Sequence, residues 1–165
     1  MDARSEKALA GVFPELADKV RAAAVKLAKE QTFLLVVSGL RTAAEQQALY
    51  AQGRSIKGHI VTNARAGFSM HNYGLAIDVV PYQVGEKGAL NWNPATPQFQ
   101  RMVAAMKGQE LEWGGDWKGG LGDFDHFQMS GLPVSPSLAM RTDYGTGPKD
   151  LSVIWEKAEE KTYAV

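Results

Sequence analysis

Two segments of the chain combine histidine and aspartate at spacings that allow one metal ion to be bound. In SMHNYGLAIDVV, His71 and Asp78 are seven residues apart, with small residues between them that leave room for a ligand. By itself such a pair is more typical of a loop histidine and a strand-end carboxylate that meet solvent. The second segment, GDFDHFQM, adds His126. Two histidines and one aspartate make a three-ligand zinc site whose fourth position is open to water.

A further carboxylate beside such a site can take the proton of a zinc-bound water. Asp123 lies three residues before His126, in the turn that precedes it. Asp125 is the competing carboxylate, but alternation along a strand would turn its side chain away from His126. We therefore expect Asp123 to act as the general base of a metal-assisted hydrolysis.

The hydrophobic patterns predict short strands and amphipathic helices to position these residues. Apolar or alternating runs predict strands over TFLLVVS, GLAIDVV and DHFQM, with His126 and Gln128 on one face of the last strand. Helical spacing and end signals predict four helices: from Pro14 to about Glu30, over TAAEQQALYAQ, from Thr96 to about Met106, and over DLSVIWEKAEEK. Long connections are expected over 54–69 and 81–96. This mixture predicts an α+β fold, with a small central antiparallel sheet that carries the zinc site and is flanked by helices.

Arg41 lies between the first predicted strand and the helix that follows it. Thr42 and Glu45 form a Thr-x-x-Glu capping box, which places the start of that helix directly after Arg41. Side chains at such a junction commonly face a cleft, so Arg41 is a candidate for contact with a substrate.

Several aromatic residues could line a groove for an extended peptide, because their rings offer a large contact area. They are Tyr73, Trp92, Trp113 and Trp117. Packing in the core is the alternative for each of them. His59, the third histidine, has no carboxylate at chelating spacing, and we expect it to be a surface residue.

Composition excludes several other classes of protein. The 165 residues contain no cysteine, which excludes disulfide frameworks, thiolate catalysis and cysteine-based metal sites. Lys plus Arg and Asp plus Glu number 18 each, so no net charge attracts nucleic acid or anionic lipid. The longest apolar run is FLLVV, and the first residues carry charges where a signal peptide needs an apolar core. We expect no nucleic-acid partner, no stable membrane association, no membrane span and no export signal.

The segment SMHNYGLAID resembles a long motif of known zinc peptidases, Ser-x-His-x-x-Gly-x-Ala-x-Asp. That group includes D-alanyl-D-alanine carboxypeptidases, vancomycin-resistance dipeptidases and phage L-alanyl-D-glutamate endopeptidases. The resemblance covers about residues 11–130 and extends through SGLRTAAEQQALYAQGRS, WGGDW and DFDHFQ. The phage-type endopeptidases are most similar, because they share the Gly-Leu-Arg-Thr segment, His-Asn-Tyr-Gly and Trp-Gly-Gly-Asp-Trp.

The resemblance implies roles for individual residues. It implies one zinc ion per chain, held by three ligands: His71, Asp78 and His126. It implies that Asp123 is the catalytic carboxylate and that Arg41 binds and polarises the substrate carbonyl or carboxylate. Ser69 falls on the motif serine, which implies a polar contact with the substrate or with the ligand loop. Related members often have proline before the second histidine, where this chain has Asp125.

The function implied is that of an L-alanyl-D-glutamate endopeptidase acting on peptidoglycan stem peptides. A monomeric phage endolysin is expected, which collects in the host cytoplasm and reaches the cell wall at lysis. A D,D-carboxypeptidase or dipeptidase, and a wall-peptide-binding module without activity, are the alternatives. Residues 1–130 are expected to form the catalytic part, and 131–165 a tail with a short helix in the same single domain.

Overall fold

A computed structural model of the chain describes residues 1–82, 89–118, 122–145 and 150–163. Within these ranges the helices are α1 (Ala3–Leu9), α2 (Pro14–Ala28), α3 (Ala43–Ala51), α4 (Pro97–Lys107), α5 (Leu138–Tyr144) and α6 (Ser152–Glu159). The strands are β1 (Phe33–Ser38), β2 (Ala76–Tyr82), β3 (Leu111–Trp113) and β4 (His126–Met129). They form one antiparallel sheet in the order β1-β2-β4-β3, which confirms the predicted α+β class.

One of two compact units contains the whole sheet and comprises Met1–Gly39 and Ala76–Ser130. Helices α1, α2 and α4 pack on the sheet or on one another. Its fully buried side chains include Leu16, Val20, Ile77, Met102 and Phe127. Because β2 lies in the interior of the sheet, its first six residues are all buried, as a strand covered on both faces requires.

The register of the sheet places Asp78 in a row with residues of both neighbouring strands. On β1 its partner is Ser38, and on β4 its partner is His126. The pairing of β1 shifts between Val36 and Ser38, and the Val36 amide donates to the Ser5 hydroxyl at that irregularity. Bulges of this kind are common beside functional sites, since they redirect side chains.

The second unit comprises Leu40–Leu75 and Gly131–Val165 and contains helices α3, α5 and α6. Its first helix, α3, begins with the predicted capping box: Thr42 and Glu45 accept hydrogen bonds from each other's backbone amides. A 3₁₀ helix, Met70–Tyr73, follows the long connection. Helix α6 is joined to it by a hydrogen bond of 2.8 Å from Trp155 Nε1 to the Tyr73 carbonyl.

The predicted elements and the observed ones differ mainly where the elements are short. The sequence patterns did not indicate α1, α5, the three-residue β3 or the 3₁₀ helix. Strand β2 starts two residues later than predicted, because Gly74 ends the 3₁₀ helix with a φ of 66°. Residues 83–88 of the predicted connection lie outside the described residues. Among the described helices, none combines the length and apolarity needed to cross a membrane.

Candidate metal centre

Three buried side chains form a cluster that could hold a metal ion. His71, Asp78 and His126 each offer one ligand atom, and these atoms lie within 4.8 Å of one another. The residues are only 1%, 8% and 6% exposed, respectively. Ligand atoms of these residue types that converge in a buried position are suited to bind a metal ion.

The 3₁₀ helix Met70–Tyr73 positions His71. Ser69 precedes this helix and its hydroxyl accepts a hydrogen bond of 3.4 Å from the His71 amide. The His71 carbonyl accepts from the Arg41 amide at 3.0 Å and from that of Gly74. The backbone on both sides of His71 is therefore fixed by hydrogen bonds.

Asp78 and His126 face each other across β2 and β4. His126 Nδ1 lies 3.4 Å from Asp78 Oδ1. Burial opposes a charge on the imidazole, but the hydrogen bond and the negative charge of Asp78 outweigh it and raise the pKa of His126. A metal ion that binds His126 must displace the proton of the imidazolium, so metal binding will be weaker at low pH.

The side chain of Gln128 also contacts His126, a role that the sequence patterns did not indicate. Gln128 is fully buried, and its Oε1 lies 3.2 Å from Nε2 of His126. The ring of Trp117 lies against the same imidazole, with ring centroids 5.0 Å apart. Strand alternation placed Gln128 on the face of His126, but only the register of the sheet shows that the two side chains meet.

The donor set fits zinc. Two imidazole nitrogens and one carboxylate oxygen are ligands that zinc accepts, and three protein ligands leave a fourth position for water or substrate. A partner that engages the second nitrogen of a histidine ligand is also a regular feature of zinc sites.

Asp123 lies in the turn before β4, and its side chain is exposed. Its amide donates to the carbonyl of Gly114 at 3.3 Å. A Cβ atom on Gly114 would lie 2.5 Å from the Asp123 carbonyl oxygen and 3.2 Å from the Cβ of His126. Only glycine fits there, so the Trp-Gly-Gly-Asp segment allows the turn to approach the site closely.

Asp125 lies immediately before β4, so strand alternation does not determine where its side chain points. Burial, followed by the negative charges of Asp78 and Asp123, raises the pKa of Asp125 to about 7. Asp125 is therefore close enough to Asp78 and Asp123 for their charges to affect it. The expectation that its side chain points away from His126 relied on strand alternation, which does not apply at this position. The choice of Asp123 as base stays a prediction.

The remaining predicted site residues have varied surroundings. Arg41 is half-buried, and its Nη1 donates to Gln46 Oε1 at 3.4 Å. Tyr73 is fully buried and its hydroxyl donates to the Gly67 carbonyl at 2.8 Å. Trp113 is buried as well, with its indole N–H bonded to a backbone carbonyl. The burial of Tyr73 and Trp113 favours the alternative that their rings pack in the core. Contact of these two rings with substrate stays a prediction. His59 is exposed, as expected.

A buried cluster of two histidines and one aspartate, with Asp78 and His126 on neighbouring strands of the sheet, is typical of zinc-dependent enzymes, and comparisons with known proteins identify such a class. Residues 62–129 match the family described as D-alanyl-D-alanine carboxypeptidase, of peptidase group M15. The chain is 38% identical, over 120 residues and 68% of each protein, to the peptidoglycan L-alanyl-D-glutamate endopeptidase CwlK of Bacillus subtilis.

Two solved structures are similar in fold. The L-Ala D-Glu endopeptidase ChiX of Serratia marcescens matches with a TM-score of 0.57 and 28% identity, over 79% of this chain and 89% of that one. The vancomycin-resistance D,D-pentapeptidase VanY, solved with Zn(II), matches with a TM-score of 0.52 and 15% identity, over 92% and 83%. The latter supports the fold alone. The chain belongs to the M15 metallopeptidase family.

Proposed function

We propose that the protein is a zinc-dependent peptidoglycan endopeptidase that cleaves the bond between L-alanine and D-glutamate in stem peptides. The buried cluster of His71, Asp78 and His126 carries this proposal. Its substrate class is supported by the similarity to CwlK and ChiX, which are both named for that bond. We further propose that it acts as a lytic endolysin of phage type, which rests on the sequence resemblance.

In the proposed reaction the chain's own residues bind the peptide and move protons. A zinc ion in the cluster would supply Lewis acidity to the scissile carbonyl and lower the pKa of a bound water. The Asp123 carboxylate accepts the proton of the attacking water and then delivers it to the leaving amine. Arg41 donates to the carbonyl oxygen as negative charge develops there. Ser69 holds the backbone of the His71 segment.

Replacement of Asp123 tests the assignment of the general base. Asp123→Asn should retain one zinc ion per chain but lose activity on purified sacculi by about 100-fold or more, because the proton acceptor is gone. Activity is measured by mass spectrometry of the released muropeptides. Asp125→Asn is the matched control, since it removes the neighbouring carboxylate. If Asp125→Asn is inactive and Asp123→Asn remains active, the general base is Asp125 and not Asp123.

The same mass spectra separate the alternative functions. Cleavage after L-alanine produces new L-alanine carboxyl ends, whereas a D,D-carboxypeptidase or dipeptidase would release D-alanine units. Zinc-loaded protein that hydrolyses neither bond on any wall type would favour a wall-peptide-binding module and overturn the proposed activity.

A further inference from the structure

Two arginine side chains lie over one partly exposed aromatic ring, that of Phe68, in the loop before the candidate metal ligand His71. The Cζ atoms of Arg65 and Arg141 are 5.0 and 4.6 Å from the ring centroid of Phe68. The two guanidinium carbons are therefore at most 9.6 Å apart. Phe68 is 38% exposed, so the cluster, which we call the arginine pair, is open to solvent.

Unlike Arg21, the two members of the arginine pair have no carboxylate partner among the described residues. Arg21, for comparison, forms ion pairs with Glu6 and Asp18. Within the part of the chain that the structure describes, neither Arg65 nor Arg141 forms an ion pair with a carboxylate, and residues 46–77 contain no acidic residue. Stacking on an aromatic face offsets only part of the repulsion between two guanidinium groups. An anion between them would relieve it.

Backbone contacts hold the two arginines in place. Arg141 donates from Nη1 to the carbonyl of Pro136, and the Phe68 amide donates to the Arg65 carbonyl at 2.9 Å. The Arg141 guanidinium and the backbone of Arg65 are thus held before a ligand arrives, which lowers the entropic cost of binding.

The same turn leads directly to the metal ligand. The Gly67 amide donates to Asn72 Oδ1 at 2.9 Å, and the Gly67 carbonyl accepts from the Tyr73 hydroxyl. Phe68 is three residues from His71 along the chain. Phe68, on which both arginines stack, therefore lies in the segment that leads to His71 and is bonded through Gly67 to its 3₁₀ helix.

We propose that the arginine pair is a subsite for the free carboxylate of the substrate's glutamate residue. This inference rests on the proposed function. A glutamate in a peptide chain uses one of its two carboxyl groups for the bond to the next residue, and the other remains ionised. Guanidinium groups match the geometry of a carboxylate, and their hydrogen bonds to it are charge-assisted. The arginine pair thus distinguishes glutamate from its amide at this position.

Two matched peptides test this subsite. One contains L-Ala-D-Glu, and the other contains the same unit with the free carboxylate converted to an amide; both have amidated C-termini. The zinc-loaded wild type should cleave the carboxylate peptide with a KM on the order of tenfold lower. Arg65→Gln and Arg141→Gln should each reduce that preference with little change in kcat. Lys57→Gln, which removes an exposed cation from the same loop, should preserve it.

The outcomes separate this proposal from the proposed function. Cleavage of both peptides with equal KM, or a preference that survives both arginine substitutions, overturns the subsite and leaves the endopeptidase activity standing. A preference lost equally in Lys57→Gln also overturns it, since general attraction then explains the effect. If the wild type cleaves neither peptide, the proposed endopeptidase activity is wrong. Calorimetry of the binding of both peptides still tests the subsite, and equal affinities overturn it.

Discussion

The imidazole of His126 is oriented through both of its nitrogens. Nδ1 lies 3.4 Å from the Asp78 carboxylate, and Nε2 lies 3.2 Å from the carbonyl oxygen of the Gln128 amide. In the neutral ring, a proton on Nε2 donates to Gln128 and leaves the lone pair of Nδ1 directed toward the ligand cluster. Gln128 therefore selects the tautomer that can bind metal.

Substitution of Gln128 should weaken zinc binding while the fold persists. Gln128→Leu keeps the buried volume but removes the acceptor, and we expect zinc affinity to fall about 10- to 100-fold. Gln128→Glu retains an acceptor oxygen and should bind zinc at least as well as the wild type. Competition with a chromophoric chelator measures both affinities. Equal affinity of wild type and Gln128→Leu would show that the amide does not orient the ring.

Residue chemistry explains which parts of the site could be predicted from the sequence. His71, Asp78 and His126 are residue types that zinc accepts as ligands, and their types and spacing predicted the cluster that the structure shows. An amide such as Gln128 is common at strand positions, and its role depends on contacts that only folding creates. The same holds for Asp125, because it lies before β4 and strand alternation does not determine where its carboxyl group points.

Helices α5 and α6 are connected through the carboxylate of Asp143. Lys157 Nζ lies 2.8 and 2.9 Å from its two oxygens, and the Tyr163 hydroxyl donates to it as well. The hydrogen bond from Lys157, followed by that from Tyr163, lowers the pKa of Asp143 below its usual value of 3.8. The ionised form is thus favoured in the folded state.

The stability contributed by Asp143 should depend on pH in the acid range. Because its pKa is lower in the folded chain, the contribution is complete above the unfolded value near 3.8 and is lost as the pH falls through the lowered pKa. Asp143→Asn should therefore cost up to about 1 kcal/mol at pH 6, since the pair is partly exposed, and less at pH 3. Urea unfolding at both values measures the difference.

A control on the same pair of helices checks this prediction. Glu159→Gln removes an exposed carboxylate from α6 and should change stability little at either pH. A cost for Asp143→Asn that is the same at pH 3 and pH 6 would contradict the assigned role of the carboxylate charge.

Elements with strong local signals were predicted well, and those defined by their partners were not. The capping box of α3, and the Thr96 cap with Pro97 at the start of α4, determine where those helices begin. Strand β3 has only three residues and exists because it pairs with β4. A pattern of period two cannot be recognised over three residues, so this strand is a product of tertiary structure.

At the scale of the whole molecule, metal binding is coupled to folding. His126 lies far from His71 and Asp78 in the sequence, so an unfolded chain does not hold the three candidate ligands together. A zinc ion therefore binds the folded chain preferentially and adds to its free energy of unfolding. We expect His71 and His126 to matter for this effect and the exposed His59 not to matter.

Thermal unfolding with and without zinc measures this coupling. At a free zinc concentration 100 times the Kd, the added stability is about 2.7 kcal/mol. For a chain of this size that raises the Tm by roughly 5 to 10 °C relative to protein stripped with a chelator. His71→Ala should lose most of this zinc-dependent rise because it removes a ligand, whatever its own metal-free Tm. His59→Ala should retain all of it, and metal analysis should find one zinc per chain in that variant. A rise of equal size in His71→Ala would mean that zinc stabilises the chain from somewhere other than the cluster of His71, Asp78 and His126.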